Sequence, residues 1–127
     1  MLRAVVAGDV IDDVLVRPES PTRLDTDTAA RIVVRPGGSA ANAACWLASA
    51  GFDVDFVGRV GAADVARHAA EFARQGVRDH LIADTTEPTG SIVLLVDGDV
   101  RTMFTDRGAN RTLEGVAIGE HLSLIHI

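Results

Sequence analysis

The sequence predicts an α/β fold, a parallel sheet covered by helices on both faces, and three observations lead there. Short β-branched runs at residues 3–8 and 54–58 have the composition of strands buried on both sides. Each is followed, directly or after an intervening polar stretch, by a helical pattern that closes on a glycine, Gly51 or Gly76. The order strand, helix, strand, helix, strand has connections too long for hairpins, which implies parallel strands joined by right-handed crossovers.

Taken in order, residues 3–8 (RAVVAG) form the first core strand and end in Gly8-Asp9. Val14, Val16 and then Ile32, Val33, Val34 mark two further short runs, separated by a polar stretch at 18–28 with two prolines and three acidic residues. These runs read as a small exposed sheet with a loop or polar turn between them. Pro36-Gly37-Gly38-Ser39 stops the second run, and Ser39 is placed to N-cap an Ala-rich helix over 40–50. Residues 54–58 (VDFVG) are the second core strand. A second helix spans 64–75, with Val65, Ala69, Phe72 and Ala73 on one face and Arg67, Glu71 and Arg74 on a solvated one. Residues 80–83 read as the third core strand, and Glu87-Pro88-Thr89-Gly90 as a turn. Residues 91–96 and 100–105 form a hairpin around Asp97-Gly98-Asp99, the Asp-Gly pair supplying the positive backbone angles of the tight turn. No helix is apparent beyond it, so the fold looks unfinished at its C-terminal end.

The chain has 127 residues, 47% of them hydrophobic and 24% charged, which fits one ordinary domain with a real core. No apolar run reaches the roughly 20 residues of a membrane-spanning helix, and no leader pattern precedes residue 16, so a cytoplasmic protein without a membrane partner is expected. A formal charge of −6 argues against a nucleic-acid partner, and the single Cys45 cannot form an internal disulfide. All 12 cationic residues are Arg. Without Lys there is no Walker-type phosphate lysine and no Schiff-base chemistry.

Gly8-Asp9-Val10-Ile11-Asp12-Asp13 lacks the spaced glycines of a dinucleotide-binding loop, and its acids would repel a pyrophosphate. Those acids would instead accept hydrogen bonds from hydroxyls, so Asp9, Asp12 or Asp13 at the carboxyl end of a parallel strand suits a polyol. On spacing alone, solvated loop acids remain the default alternative. Gly37-Gly38-Ser39-Ala40-Ala41-Asn42 is more specific. Two glycines before a helix let a ligand approach the backbone, free N–H groups of the first turn can donate to it, and Asn42 offers a donor and an acceptor. A tight strand-to-helix turn with Asn42 as a capping partner fits equally well.

The run from Gly37 through Ala44 (GGSAANAA), followed by Gly51 and then Val57-Gly58-Arg59-Val60-Gly61, resembles the N-terminal signature of the PfkB, or ribokinase-like, family of carbohydrate and nucleoside kinases. Gly8-Asp9 with Asp13, Gly76-Val77, Pro88-Thr89-Gly90 and Arg107-Gly108-Ala109-Asn110 fall in the same order, and the resemblance runs from about residue 5 to 113. One departure is Ala63, with Asp64 next, where the family commonly has an acid two places after Gly61. The resemblance implies a three-layer α/β/α core with a small β-sheet lid, truncated at its C-terminal end. It also implies phosphorylation of a sugar or nucleoside hydroxyl by ATP with Mg²⁺. Carried over residue by residue, Asp13 accepts hydrogen bonds from substrate hydroxyls, Gly37 and Gly38 bring backbone to the sugar, and Asn42 binds another hydroxyl. Residues 14–17, 32–35 and 91–105 supply the lid, which in this family often forms a homodimer contact. Asp9 and Arg107 are weaker candidates, Asp9 as a turn cap and Arg107 as a partner of a surface acid or of Asp12.

The family's catalytic base and anion hole resemble a Gly-Ala-Gly-Asp element, which these residues lack, and the ATP-binding half is likewise absent. No catalytic residue, and no metal ligand, is therefore assigned. Residues 1–121 read as the substrate-binding part of such a domain. Residues 122–127 (LSLIHI) match no expected family element, correspond to one reading frame of a common sequencing adapter, and read as a non-native tail. His121 and His126 are poor ligands, His68 and His80 read as surface or half-buried, and Cys45 and Trp46 as packing. Met103 or Phe104 could close over a sugar ring.

Overall fold

The computed structural model describes residues 1–125. His126 and Ile127, part of the expected tail, lie outside the described residues. In chain order the elements are β1 (Arg3–Ala7), β2 (Ile11–Pro18), β3 (Ala30–Gly37), α1 (Ser39–Ser49), β4 (Asp53–Gly61), α2 (Val65–Arg74), β5 (Val77–Asp84), β6 (Gly90–Asp97), β7 (Val100–Asp106) and α3 (Gly115–Ile125). Short 3-10 turns occupy Ala62–Asp64 and Gly108–Thr112.

β1, β4 and β5 form a parallel sheet in that order. Both crossovers step the same way across it, so right-handed connections set α1 and α2 side by side on one face. Val54, Phe56 and Val60 alternate onto that face and are buried against Ala41, Ala44 and Phe72, the rings of Phe56 and Phe72 stacking with centroids 4.6 Å apart. The opposite face carries Asp55, Arg59 and Asp84, and α3 and the 108–112 turn lie against β4. The expected ribokinase-like α/β core is therefore present, with helices on both sides of its sheet.

A second sheet has the order β3-β2-β6-β7, with β2 and β6 parallel and the outer pairs antiparallel. It holds all three runs expected to build the lid. Ile32, Val34, Met103 and Phe104 remain exposed on it, as expected of a sheet outside the core. The β6–β7 turn is Gly98-Asp99, with Gly98 at φ 59°.

Several local expectations are corrected. β2 begins at Ile11 rather than Val14, because Ile11, Asp12 and Asp13 ladder with both Gly37-Pro36-Arg35 and Gly90-Ser91-Ile92. Asp12 and Asp13 are thus strand residues and not solvated loop acids. Ser39 does not cap α1: Gly38 holds the cap position without a side-chain bond, and the Ala41 N–H donates instead to the Asp9 carbonyl at 3.2 Å. Trp46 is 76% exposed, since the i+1 neighbour of half-buried Cys45 turns out of the packed face. α3 was not foreseen, and it runs across the 121/122 boundary without interruption.

The two sheets meet at Gly8–Val10, a connection with no ladder of its own. Val10 is 1% exposed, and Asn110 closes its backbone: the Val10 N–H donates to Asn110 Oδ1 and Asn110 Nδ2 donates to the Val10 carbonyl, both at 3.1 Å. Asn110→Ala leaves both buried groups unpaired and is expected to cost about 2–4 kcal/mol of stability. Urea unfolding measures it, and a loss below about 1 kcal/mol would show that the contact is dispensable.

Candidate sugar-binding cleft

Gly37 and Gly38 end the lid strand β3 where it passes under the β1–β2 connection. Gly38 sits at φ 103°, and a Cβ there would stand 2.5 Å from the Asp9 carbonyl oxygen. A Cβ on Gly37 would run into the Asp13 carboxylate. The glycine pair therefore clears space for the acidic segment to lie against the start of α1.

That clearance leaves a cleft of about 680 Å³ between the lid and the carboxyl ends of the core strands. Asp9, Asp13, Gly38, Asn42 and Arg107 all line it, and Gly37 stands beside it in a smaller cavity behind the hinge. Five of the six candidate site residues thus line one opening, and Gly37 lies beside it. Asp13 is half-buried, and its carboxylate has no side-chain hydrogen bond or ion pair among the described residues. Burial, and then the neighbouring Asp12 charge, push its pKa above the ordinary carboxylate value. Asn42 is exposed on the first turn of α1, and its amide likewise has no partner among the described residues. Hydroxyl groups entering the cleft find one strong acceptor in Asp13 and one mixed donor and acceptor in Asn42.

Asp9 and Arg107 face each other at 3.4 Å, a long contact between a half-buried acid and an exposed guanidinium. Arg107 therefore takes Asp9 as its partner and not Asp12. The lid contributes Leu15, Ile92, Leu94 and Met103 as an apolar wall, with Arg35 and Thr105. Met103 thus lines the cleft, whereas Phe104, its i+1 neighbour, is absent from the lining and 61% exposed.

The other buried acids contrast with Asp13. Asp55 accepts from Arg78 Nε at 2.7 Å, His80 Nε2 lies 2.8 Å away, and Arg3 Nη2 donates at 3.2 Å. The Arg78 hydrogen bonds lead in holding its carboxyl well below the usual range. Asp84 accepts from the Glu87 and Thr86 N–H groups, from Arg59 Nε and from the Thr112 hydroxyl, all at 2.8–2.9 Å, and is held low chiefly by the Glu87 N–H. These two are structural.

Sequence reasoning missed the pairing of Asp12 with Arg67 and the burial of His68. Asp12 is held by Arg67, 55 residues away, so no local pattern announced the pair. His68 is 1% exposed and not at the surface, because α2 turns it inward beneath Asp12. Burial lowers its pKa.

Among the described residues no group of three or more His, Cys, Asp or Glu is placed to hold a metal ion. The cleft's anionic edge, Asp9 and Asp13, is also unsuited to the phosphates of ATP. The residues present do not fit Mg²⁺ or ATP.

A parallel α/β core joined to a four-stranded lid over a cleft with an open carboxylate defines a ribokinase-like fold. The chain belongs to the pfkB family carbohydrate kinase family, whose profile it matches over residues 1–125. It is similar to the structure of ribokinase from Giardia lamblia, with TM-score 0.85 and 18% identity over 98% of this chain and 42% of that one. It is similar also to ribokinase from Cryptococcus neoformans in complex with ADP, with TM-score 0.75 and 26% identity over 90% of this chain and 36% of that one. A nucleoside kinase from Methanocaldococcus jannaschii matches with TM-score 0.74 and 20% identity over 86% of this chain and 38% of that one. The chain thus spans roughly two fifths of the length of these structures. No match is found among curated proteins. No helix among the described residues is long and apolar enough to cross a membrane.

The raised pKa of Asp13 fixes a sign. The folded chain binds that proton more tightly than the unfolded chain, so stability falls as pH rises from the ordinary carboxylate range through the raised folded value. Asp13→Asn is expected to raise Tm near neutral pH, the gain vanishing in acid. Thermal melts between about pH 3 and pH 7 measure it. A variant less stable than the parent at neutral pH would contradict the assignment.

Proposed function

We propose that this chain supplies the sugar-binding half of an ATP-dependent carbohydrate kinase, a phosphotransferase acting on an alcohol group of a sugar or nucleoside. The observation that carries the reading is Asp13: it alone of the acids Asp12, Asp13, Asp55 and Asp84 is left without a donor, and it opens with Asn42 into the cleft between core and lid. A carboxylate desolvated in that way is stabilised by the hydroxyl donors of a polyol, and an apolar lid wall of Ile92, Leu94 and Met103 suits the carbon face of the ring. Asn42 binds a further hydroxyl, Gly37 and Gly38 bring backbone to the sugar, and Asp9 with Arg107 borders the opening.

Phosphoryl transfer needs a base beside the accepting hydroxyl and a preorganised site for the transferring group. The 127 residues hold no Gly-Ala-Gly-Asp element, so ATP and Mg²⁺ are met by residues other than these, and the chain by itself is a sugar-binding module without turnover. Residues 1–121 carry the binding unit. The exposed lid residues Ile32, Val34 and Phe104, on the lid face away from the cleft, are the surface through which the intact kinase would pair with a second copy in the cytoplasm.

Two measurements test this. The purified chain is expected to bind at least one of D-ribose, D-fructose or adenosine by equilibrium dialysis, Asp13→Ala weakening it by about 1–3 kcal/mol, the scale of an unpaired hydroxyl contact. Unchanged affinity in the variant would overturn the role of Asp13. With Mg·ATP and the same compounds, the chain should release no ADP in a sugar-dependent way, and clear turnover would show that the catalytic groups are present after all.

A further inference from the structure

Arg67 grips Asp12 with both guanidinium nitrogens, Nη1 to Oδ1 at 2.8 Å and Nη2 to Oδ2 at 2.7 Å. A two-point fork fixes orientation as well as distance. Arg67 Nη2 also lies 3.3 Å from Asp64 Oδ1, and the Thr89 hydroxyl donates to Asp64 Oδ2 at 2.6 Å while accepting from the Gly61 N–H at 3.0 Å. Beneath Asp12, buried His68 brings Nε2 to 3.2 Å of Oδ1, yet off the axis of a hydrogen bond.

This network touches the lid at the roots of both its central strands. Asp12 is the second residue of β2, and Thr89 directly precedes Gly90, the first residue of β6, which pairs with Ile11 of β2. Successive strand residues point to opposite faces, so Asp12 reaches back to α2 and Asp13 reaches forward into the cleft. Holding Asp12 from behind therefore sets the direction in which Asp13 presents its carboxylate.

We propose that Arg67 is a positioning residue, a latch that ties the lid hinge to α2 through Asp12 and so orients Asp13 toward the sugar. It touches no substrate and acts only through Asp12. The inference rests on the sugar-binding reading of the cleft for its consequence, whereas the latch itself can be observed without any sugar.

Hydrogen exchange of the 127-residue chain tests it directly. In Arg67→Ala, amides of residues 11–14 should exchange roughly three- to tenfold faster, while those of residues 54–57 in the core strand keep the parent rate. Arg67→Lys, which replaces the fork by a single point charge, should restore part of the protection. Asp12→Asn should match Arg67→Ala, and the double variant should add nothing to either. Arg74→Ala, on the same helix but paired only with Glu71 among the described residues, is the control and should leave the hinge unchanged. D-ribose affinity should fall with hinge protection across the same series.

Unaltered exchange at 11–14 in both Arg67→Ala and Asp12→Asn would overturn the latch, as would equal loss of protection at 54–57, which marks general destabilisation. If Asp13→Ala weakens D-ribose binding while Arg67→Ala changes neither exchange nor affinity, the latch fails and the sugar-binding reading stands. If the parent binds none of the sugars, that reading fails and exchange alone decides the latch.

Discussion

Gly8, Asp9 and Val10 join the core sheet to the lid without belonging to either, and their backbone groups are met by partners distant in sequence. The Gly8 N–H donates to the Val57 carbonyl at 3.1 Å, the Asp9 carbonyl accepts from the Ala41 N–H at 3.2 Å, and both Val10 groups are closed by Asn110. A buried connection with unpaired backbone would cost more than its packing could return, so these contacts hold the whole arrangement in register. They also fix the site. The strand that carries Asp13 starts at the residue after Val10, and the helix that carries Asn42 starts under Asp9.

Carboxylates in this molecule divide by what surrounds them. Asp55 and Asp84 are saturated with donors and lie far below the usual carboxylate range, which makes them ties between strands. Asp12 is taken by Arg67. Asp13 is half-buried without such donors, and burial together with the Asp12 charge disfavours its ionised form. Folding alone gives no reason to keep an acid there, whereas the proposed hydroxyl-rich guest would supply one. Stability and binding thus pull in opposite directions at that residue.

Much of this was legible in the sequence because the signals were local. Gly51 and Gly76 close their helices at φ 96° and 76°, Gly98 turns the β6–β7 hairpin at φ 59°, and β-branched runs became core strands. The glycine pair, Asn42 and the early acids were visible as a set, and the fold gathers them around one opening. What was missed depends on contacts far apart along the chain. Ser39 has a good capping side chain, but the Asp9 carbonyl, brought in by the fold, supplies the cap. The acids at 12 and 13 looked like loop residues until pairing with both Pro36-Arg35 and Ser91-Ile92 drew them into a strand. His68 and Arg67 carried no motif, and α3 has neither an N-cap signal nor a polar face strong enough to announce it.

Backbone and side-chain amide shifts of the labelled chain, followed by NMR while D-ribose, D-fructose or adenosine is added, probe the cleft most directly. Binding between core and lid requires saturable shifts concentrated at Asp13, Gly38, Ser39 and the Asn42 side-chain amide, with Asp55 and Asp84 silent. Shifts confined to the face of the core sheet that carries Asp55 and Asp84, or none with any of the three compounds, would contradict it.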